Sequence, residues 1–514
     1  MITLAIIAVT IVALYLYGTR TYKYWIDRGI KHDKPLPFIG NNSDFIFRNQ
    51  STTQTAVELY WKYPNEKVVG FYRLARPELV IRDPEIAKKI LTTDFMHFYP
   101  RGLNKAKDAI EPILKNLFFA DGDLWRLLRQ RMTPAFSSGK LKAMFPLICE
   151  RAEKMQEVLA ADSTDGANCM DARDIMARYT TDFIGSCGFG LEADSLNDKD
   201  SAFRKLGVRM FKINMKRFIK SVLKDLVPQL FKHLKVFDDV EEEITAIVKE
   251  IQRQRNNEPS GRNDFIDLLL ECKKKGTMVG ESIETTKPDG TPEVATLEMD
   301  VALMAAQVFV FFAAGFETSS SATSYTLHQL AFNPEVQKKV QQEIDRVLAK
   351  HDNKLCYEAI KEMTYLEWAF QEGMRMFPSL GFLIRECSRK YTFKELDLTI
   401  DPGVAIIIPL QAYHNDPLYF DNPKEFRPER FNPDEFDAQK KLVYMPFGEG
   451  PRACIGTRLG LMQSLAGLAA VLSKYSVEPA PETLRWPIVD PTSHIVQSIK
   501  GGLPLIFRKR SEAM

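Results

Sequence analysis

The longest apolar segment of this chain lies well inside it, at residues 299–332, and ends before Asn333-Pro334. Its apolar residues run nearly all round a helix, which is typical of a helix that crosses the middle of a fold. Gln307 and Glu317 interrupt the segment, so a buried core helix explains it as readily as a second membrane span. The segment therefore predicts a fold organised around one central helix.

Within this helix lies the sequence "AGFETS", residues 314–319. A glycine such as Gly315 costs about 1 kcal/mol in a helix interior relative to alanine. A buried carboxylate such as Glu317 costs several kcal/mol unless it is paired. We expect a local opening of the helix beside a polar site, where the Thr318 hydroxyl holds a water or a bound oxygen and Glu317 relays protons. A packing notch of small residues explains the pattern equally well.

A second unusual stretch is "PFGEGPRACIG", residues 446–456, which places Cys454 among three glycines and an arginine. As an ordinary free cysteine, Cys454 is a small buried hydrophobe. In the alternative interpretation, Cys454 binds a metal through its thiolate, and the glycines let the backbone pass close to a large flat ligand. Arg452 offers a fixed charge, and the helix that follows favours the thiolate form.

The same stretch also carries the glycine spacing of a dinucleotide-binding loop, at Gly448, Gly450 and Ala453. In that interpretation "LVYM" is the preceding strand, and "YSVEP" is the next strand with Glu478 at its end. However, Pro451 removes an N–H that would hold phosphate, and the flanking sequence does not supply a doubly wound sheet.

Composition narrows the classes of protein to which the chain can belong. Its 514 residues are 45% hydrophobic, so the chain is globular rather than disordered. The net charge of +2 gives no indication of nucleic-acid binding. Seven scattered cysteines without a C-x-x-C pair make a disulfide framework or a structural zinc site a poor interpretation and indicate a reducing compartment.

The N-terminus predicts a membrane anchor. Residues 2–17 carry no charge and are nearly all apolar, and Tyr22, Tyr24 and Trp25 extend the segment to the membrane interface. Basic residues follow the segment, which keeps the body on the cytoplasmic side, and a cleaved signal peptide is the competing interpretation. We expect the anchor and the start of its linker at 1–30 and a single domain at 31–514, on the endoplasmic reticulum membrane.

Three further segments carry predictions of local structure. "VVGFYRL" and "ELVIRD" predict a strand pair, with a helix that starts at Pro84. Residues 203–237 predict a pair of amphipathic surface helices, for which contact with a membrane is the sharper alternative. Residues 276–296 predict a polar loop with a turn at Pro288-Asp289-Gly290.

Shorter motifs are weak one by one. "EGMR" places Glu372 and Arg375 on one helix face, "FRPERF" carries Arg430, and "DLWRLLRQR" spaces Trp125 and Arg129 one helical turn apart. Taken with "AGFET" and the Cys454 loop, however, they occur once each and in a fixed order. This order resembles the cytochrome P450 family over the whole body of the chain. "FPSLGFLIREC", "DLTIDPGVAIIIPLQ" and "MQSLAGLAAVLS" look like insect microsomal members of its family six, in particular those of moths and butterflies that oxidise plant toxins and insecticides.

The resemblance implies a mainly α-helical α+β fold with small β-sheets and a haem b cofactor whose axial ligand is the Cys454 thiolate. It assigns the haem-binding motif to Phe447, Gly450, Arg452 and Gly456, and propionate binding to Trp125, Arg129, Arg385 and Arg452. It assigns a structural triad to Glu372, Arg375 and Arg430, and the oxygen-binding groove to Ala314, Gly315, Glu317 and Thr318. By family position an apolar pocket is formed by Phe118, Phe119, Val308, Phe311, Phe312, Ala313, Leu380, Phe382, Leu383, Ile495 and Val496, although for any one phenylalanine plain core packing is the better interpretation.

The implied function is a monooxygenase of the unspecific type that uses O2 and electrons from NADPH. A membrane-bound NADPH–cytochrome P450 reductase, with cytochrome b5 as a second candidate donor, would dock on basic residues. The candidates are Arg126, Arg131, Lys440, Lys441 and Arg458, each of which is individually more typical of an ordinary solvated charge. Alternatives are an enzyme of hormone or lipid metabolism, a haem protein that is not a monooxygenase, and a dinucleotide-binding oxidoreductase.

Overall fold

The computed structural model describes residues 2–104, 106–161, 167–191, 193–198, 200–211, 214–262 and 264–510. Helices dominate the chain and the β-sheets are small, so the predicted fold class is confirmed. In the described residues the helices are α1 (Ile2–Thr19), α2 (Ser43–Ile46), α3 (Thr52–Lys62), α4 (Pro84–Lys88), α5 (Phe95–Phe98), α6 (Gly122–Met132), α7 (Ser138–Ala161), α8 (Ala172–Ile184), α9 (Ala202–Phe211), α10 (Met215–Leu226), α11 (Pro228–Phe231), α12 (Asp238–Gln254), α13 (Phe265–Lys274), α14 (Val301–Ala331), α15 (Pro334–Ala349), α16 (Tyr357–Glu362), α17 (Thr364–Met376), α18 (Leu410–His414), α19 (Ala438–Val443) and α20 (Thr457–Lys474).

The strands form two sheets and two isolated pairs. They are β1 (Val68–Arg73), β2 (Arg76–Ile81), β3 (Ala167–Asp171), β4 (Met278–Thr286), β5 (Pro292–Leu297), β6 (Leu383–Glu386), β7 (Tyr391–Phe393), β8 (Leu398–Ile400), β9 (Ala405–Ile408), β10 (Tyr475–Pro479) and β11 (Pro504–Lys509). The larger sheet has the order β1-β2-β9-β6, with only β2 and β9 parallel. The second sheet, β10-β11-β3, is antiparallel, and β4–β5 and β7–β8 are antiparallel pairs. The strand pair predicted before Pro84 is β1–β2.

The helix α14 occupies the centre of the molecule. It begins at an N-cap, Asp300, whose carboxylate accepts a hydrogen bond from the Leu303 N–H at 2.7 Å, and it ends before Asn333-Pro334. By length and composition alone it could cross a membrane. It packs instead against α8, α12, α17 and α20. The segment is therefore the buried core helix that its sequence pattern indicates.

The helix α1 carries exposed apolar side chains, among them Leu4, Val9 and Leu16. The aromatic residues beyond it behave differently from the prediction. Trp25 is fully buried, and its Nε1 donates to the Phe71 carbonyl at 3.1 Å. The prediction that this residue lies at the membrane interface is therefore wrong, because the indole packs on β1 and satisfies its N–H there.

Residues 276–296 are also more regular than predicted. They form the β4–β5 hairpin rather than an open polar loop, and the turn falls at the predicted Pro288-Asp289-Gly290. The alternation of β-branched and polar residues in "TMVGESIETT" is the signal for a strand. The hairpin packs against α6, so it is part of the folded body.

Residues 203–237 form α9, α10 and α11, with 212 and 213 outside the described residues. Two helices were predicted and three are present, because Pro228 starts a new one. Met215, Ile219 and Leu230 expose apolar surface here. Contact of this region with a membrane stays a prediction.

Candidate active site

The loop that carries Cys454 is shaped by two glycines. Gly448 and Gly450 both have φ of +73°, a conformation that side chains disfavour, and a Cβ on Gly450 would lie 1.9 Å from the Leu91 carbonyl oxygen. The Cys454 N–H donates to the Phe447 carbonyl at 2.8 Å, and α20 begins three residues later, with Gly456 as its N-cap residue. The glycines thus allow a tight loop that presents Cys454 just before a helix N-terminus.

The dinucleotide-binding alternative fails at its first element. "LVYM" is not a strand, because residues 438–443 form α19 and the chain then continues as a loop. "YSVEP" is a strand, β10, but it pairs antiparallel with β11. The parallel strand–helix–strand unit that a dinucleotide loop needs is therefore missing around these described residues.

Opposing effects act on the pKa of the Cys454 thiol. Burial raises its pKa, while the Gly456 N–H, the Thr457 hydroxyl and the guanidinium groups of Arg129 and Arg101 act in the opposite direction. Cys454 nevertheless retains accessible surface. A positive metal centre at the sulfur would favour the thiolate.

Three residues predicted to bind propionates meet beside this loop. The Arg452 guanidinium lies 4.2 Å from the centre of the Trp125 ring, and its Nη1 donates to the Ala120 carbonyl at 2.8 Å. Arg129, one helical turn after Trp125 on α6, donates through Nη1 to the Ala453 carbonyl at 2.9 Å. The start of α6 and the Cys454 loop are thereby held together by the buried Arg452 and the half-buried Arg129.

Arg385 of β6 is almost fully buried, and its Nε has no hydrogen-bond partner among the described residues. Burial lowers its pKa, and the nearby Arg101 lowers it further. Arg101 was not predicted from the sequence. Its Nη2 donates to the Arg452 carbonyl at 3.3 Å, and its Nη1 donates to the Phe118 carbonyl at 2.8 Å. The signal that could have found it is an arginine next to a glycine, in "YPRGL", a short way before α6.

We call Arg101, Arg129, Arg385 and Arg452 the arginine cluster. Burial lowers the pKa of each of the four. Among the described residues, the one ion pair that the cluster makes is between Arg452 Nη2 and Asp121 Oδ1, at 2.8 Å. Of the four guanidinium groups, only that of Arg452 is therefore paired with a carboxylate among these residues. This donor set, with the unpartnered Arg385 Nε, fits a ligand that brings further anionic groups, as the two propionates of haem do.

On α14, the predicted oxygen-binding groove is continuous helix, so the local opening predicted there is wrong. The Thr318 hydroxyl donates to the Ala314 carbonyl at 2.6 Å, which satisfies the hydroxyl within the helix. Ala314 is exposed although most of its helix is buried. The Glu317 carboxylate pairs with Arg173 of α8, so the cost of burying it is met by an ion pair rather than by a break in the helix.

The segment from Ser379 to Arg385 connects α14 with the Cys454 loop. The Ser379 hydroxyl donates to the Thr318 carbonyl at 2.9 Å. Further along, the Leu383 side chain lies beside Gly448, and Arg385 joins the arginine cluster. The Gln497 N–H donates to the Ser379 carbonyl at 2.8 Å. The predicted pocket residues Leu380, Phe382, Leu383, Ile495 and Val496 thus belong to two segments that meet beside Thr318.

The other predicted pocket residues are divided. The ring centres of Phe118 and Phe119 are 5.0 Å apart, next to Arg101. Val308 and Phe312 are fully buried. The ring of Phe311 stacks on that of Phe265 at 4.2 Å, between α14 and α13. Ala313 is partly buried in the main core. Phe311 and Phe312 are thus engaged in core packing in this structure.

The triad is assembled within the core. Arg375 donates through Nε and Nη2 to both oxygens of Glu372, at 2.7 and 2.9 Å. Arg430 donates through Nε to Glu372 Oε1 at 3.2 Å and through Nη1 to Asp421 Oδ1 at 2.8 Å. The His414 and Pro423 carbonyls accept further hydrogen bonds from Arg375, each at 2.8 Å, and the Glu425 carbonyl accepts another at 3.4 Å. All three triad residues are fully buried.

The basic residues predicted to receive an electron donor are partly engaged. Arg126 lies 3.5 Å from Glu281 of β4, and Lys440 lies 3.1 Å from Asp437. Arg458 donates to the Ser138 hydroxyl at 2.7 Å. Surface pairs of this kind contribute little to stability and exchange readily.

Comparison with known proteins matches residues 31–505 to the cytochrome P450 family model. The chain is 38% identical over 509 residues to cytochrome P450 6B2 of Helicoverpa armigera, covering 99% of this chain and 98% of that protein. It is 36% identical to cytochrome P450 6a2 of Drosophila melanogaster, covering 97% and 98%, and 36% identical to cytochrome P450 6B1 of Papilio polyxenes, covering 93% of each. The chain belongs to the cytochrome P450 family of haem-thiolate monooxygenases.

Proposed function

We propose that the chain inserts one oxygen atom of O2 into an apolar small molecule, namely a plant allelochemical, an insecticide or another xenobiotic. Its electrons come from NADPH through a membrane-bound P450 reductase, with cytochrome b5 as a further donor. The observation that carries the proposal is the arginine cluster with its unpartnered Arg385 Nε beside the Cys454 loop. Membership of the P450 family and the likeness to family six support the reaction and the substrate class.

In this proposal Cys454 holds the haem iron through its thiolate. Bound haem with a thiolate ligand supplies an electron-rich centre that favours O–O bond cleavage. The role of the loop is to hold the sulfur in place. Its shape depends on Gly448 and Gly450, whose positive φ angles would be strained for other residues. Arg129, which contacts the Ala453 carbonyl, adds a fixed positive charge beside the thiolate.

The arginine cluster and Trp125 hold the propionates. The Arg385 Nε–H and the guanidinium groups of Arg101 and Arg452 offer charge-assisted hydrogen bonds to carboxylate oxygens. Two propionates there would complete the neutralisation that Asp121 begins at Arg452. The cofactor is thereby oriented by groups on α6, β6 and the Cys454 loop.

Thr318 and Glu317 deliver protons. The Thr318 hydroxyl is fixed by its bond to the Ala314 carbonyl, so its oxygen can accept a hydrogen bond from a water at the exposed Ala314. Glu317 is held by Arg173, so it serves the relay by exchanging that ion pair for a hydrogen-bonded water next to Thr318. Apolar side chains of the pocket, such as Phe118 and Val496, exclude other water and accept an apolar substrate.

We place the catalytic body on the cytoplasmic face of the endoplasmic reticulum, tethered by α1. The exposed apolar surface of α1 and the basic residues Arg20 and Lys23 that follow it support this orientation. The anchor takes no part in the chemistry, and residues 31–514 act as one haem domain.

The test is turnover of the full chain with its reductase and NADPH, against a panel of plant allelochemicals and insecticides, with a steroid and a fatty acid as endogenous comparisons. We expect oxidation of members of the first group that depends on the reductase. Thr318→Ala should keep haem but release peroxide, with less product formed per NADPH consumed, while Ser319→Ala is the matched neighbour. Oxidation of only the endogenous compounds would contradict the substrate class, and unchanged coupling in Thr318→Ala would contradict the proton-relay role.

A further inference from the structure

The β4–β5 hairpin contacts the first turn of α6, which is the helix that carries Trp125 and Arg129. The residues that meet there are separated by about 160 positions in the chain, for example Asp123 and Glu284. The importance of this contact rests on the proposed function, in which α6 binds haem propionates. The contact then determines how the start of that helix is held in position.

The N-cap residue of α6, Asp121, does not cap its own helix. Its side chain accepts no hydrogen bond from the first turn. Asp121 Oδ1 accepts instead from Arg452 Nη2 and from the Arg101 N–H, each at 2.8 Å, and Oδ2 accepts from the Gly102 N–H at 3.0 Å. The carboxylate that would ordinarily satisfy the start of α6 is therefore committed to the arginine cluster.

Glu284 of the hairpin supplies an acceptor in its place. Glu284 Oε2 accepts from the Asp123 N–H at 3.1 Å. The Asp123 carboxylate in turn accepts hydrogen bonds from the hairpin: Oδ1 accepts from the Ile283 N–H and Oδ2 from the Ser282 hydroxyl, both at 2.7 Å. The arrangement has the reciprocity of a capping box, but its two halves lie on different elements.

Gly122 makes the approach of Glu284 possible. Its φ is +60°, and a Cβ at this position would lie 2.1 Å from the Glu284 carboxyl carbon. A side chain at 122 would thus displace Glu284 from the helix start. The hairpin itself is fixed by the buried side chains of Met278 and Ile283, so Glu284 is offered from a packed element.

We propose that Glu284 is a positioning residue for the haem site. By capping α6 from the hairpin, it frees Asp121 to hold Arg452 and the Arg101 backbone. The start of α6 then stays aligned so that Trp125 and Arg129 face the propionates. Glu284 does not itself touch the cofactor; it acts through the position of α6.

The experiment compares Glu284→Ala, Glu284→Gln and a control, Glu293→Ala, in the full haem-loaded chain. Glu293 lies on β5 of the same hairpin, is exposed, and makes no ion pair with another described residue. The readouts are the rate of haem transfer to excess apomyoglobin and the shape of the carbonyl spectrum after reduction. We expect Glu284→Ala to lose haem about two- to fivefold faster, as the loss of a helix cap would predict. Glu284→Gln, whose amide oxygen still accepts, should stay close to the parent protein, and so should Glu293→Ala.

A purely structural role would lower the thermal midpoint of Glu284→Ala while leaving haem transfer unchanged, and that result overturns the proposal. Equal acceleration in Glu284→Gln and Glu284→Ala overturns it too, because the accepting oxygen would then be irrelevant. If Glu284→Ala does not fold, Ser282→Ala provides the test, because it removes a hydrogen-bond donor to the Asp123 carboxylate. This variant should accelerate haem transfer by a smaller factor, and no acceleration would contradict the proposal. If the parent protein lacks a thiolate-type carbonyl spectrum, the proposed function itself is wrong. If the parent spectrum is normal and Glu284→Ala loses haem at the parent rate, only this inference is wrong.

Discussion

Two groups of buried and half-buried arginines in this molecule are neutralised in different ways. In the triad, Arg375 and Arg430 share the Glu372 carboxylate. Asp421 accepts a further hydrogen bond from Arg430, and backbone carbonyls accept the others. In the arginine cluster, Asp121 pairs only with Arg452, and Arg385 keeps a buried Nε without a partner among the described residues. The triad is complete within the chain, whereas the cluster is short of negative charge.

The difference indicates two distinct tasks for the same side chain. A buried ion pair with all its hydrogen bonds made resists the loss of any one member, because the remaining charge is left uncompensated. A buried cation without a partner opposes folding until an anion arrives, so its benefit appears only on binding. The triad should therefore govern the stability of the protein in every state, and the cluster should govern retention of the cofactor.

The largest expected effect is on the triad. Glu372→Ala leaves two buried guanidinium groups without their shared carboxylate and should lower the free energy of unfolding by about 3–5 kcal/mol, or prevent folding. The measurement is soluble yield together with chemical unfolding. Glu250→Ala is the control, because Glu250 and Arg253 have the same i, i+3 spacing on an exposed helix face. We expect no measurable change there, and equal losses in both variants would contradict the contrast.

The second effect separates binding from folding. Arg385→Met removes a poorly compensated cation and should leave the thermal midpoint of the protein little changed, while haem transfer to apomyoglobin becomes roughly tenfold faster. Arg375→Met is the matched variant in the triad and should instead lose stability, because Glu372 and three backbone carbonyls lose their donor. If both variants lost stability and haem in parallel, the proposed division between the two groups would be wrong.

The smallest expected effect is on the pH dependence of stability, through His414 beside Arg375 of the triad. Burial, and secondarily the charge of Arg375, lowers the pKa of His414 to about 3, from an ordinary value near 6.5. The unfolded chain therefore binds more protons than the folded one between these values, so stability is full above about pH 6.5 and falls as the pH drops. His414 alone contributes up to about 1.4 kcal/mol per pH unit.

His414→Gln should reduce the slope of unfolding free energy against pH between pH 6.5 and 5. His233→Gln, at an exposed position, should leave the slope as it is. A slope unaffected by His414→Gln would show that this histidine is not held neutral by the triad's surroundings.

Local signals in the sequence account for much of this architecture. The extent of α14 follows from its long apolar segment and its Asp300 cap, and the i, i+3 spacing of Glu372 and Arg375 places them on one helix face. The β4–β5 hairpin could have been predicted from its β-branched alternation and its Pro-Asp-Gly turn, but the polar composition favoured a loop. In each case a few neighbouring residues carry the information.

The remaining features depend on contacts between distant parts of the chain. The commitment of Asp121 to Arg452 joins residues 331 positions apart, and nothing near Asp121 distinguishes it from an ordinary N-cap residue. Trp25 follows an apolar segment, as an aromatic residue at a membrane interface would. Its ring nevertheless packs on β1, where Gly70 leaves room for it. Glu317 suggested an opening in α14 because its partner, Arg173, lies on another helix.

The most direct test of the haem-thiolate assignment is the spectrum of the reduced, carbon-monoxide-bound protein, recorded for the parent chain and for Cys454→Ala. With the Cys454 thiolate on the iron, the parent should show the red-shifted Soret band of a thiolate-ligated haem. Cys454→Ala should lack that band, because no other residue of the loop can supply a thiolate. A parent protein without the band, or a Cys454→Ala protein that keeps it, would contradict the assignment.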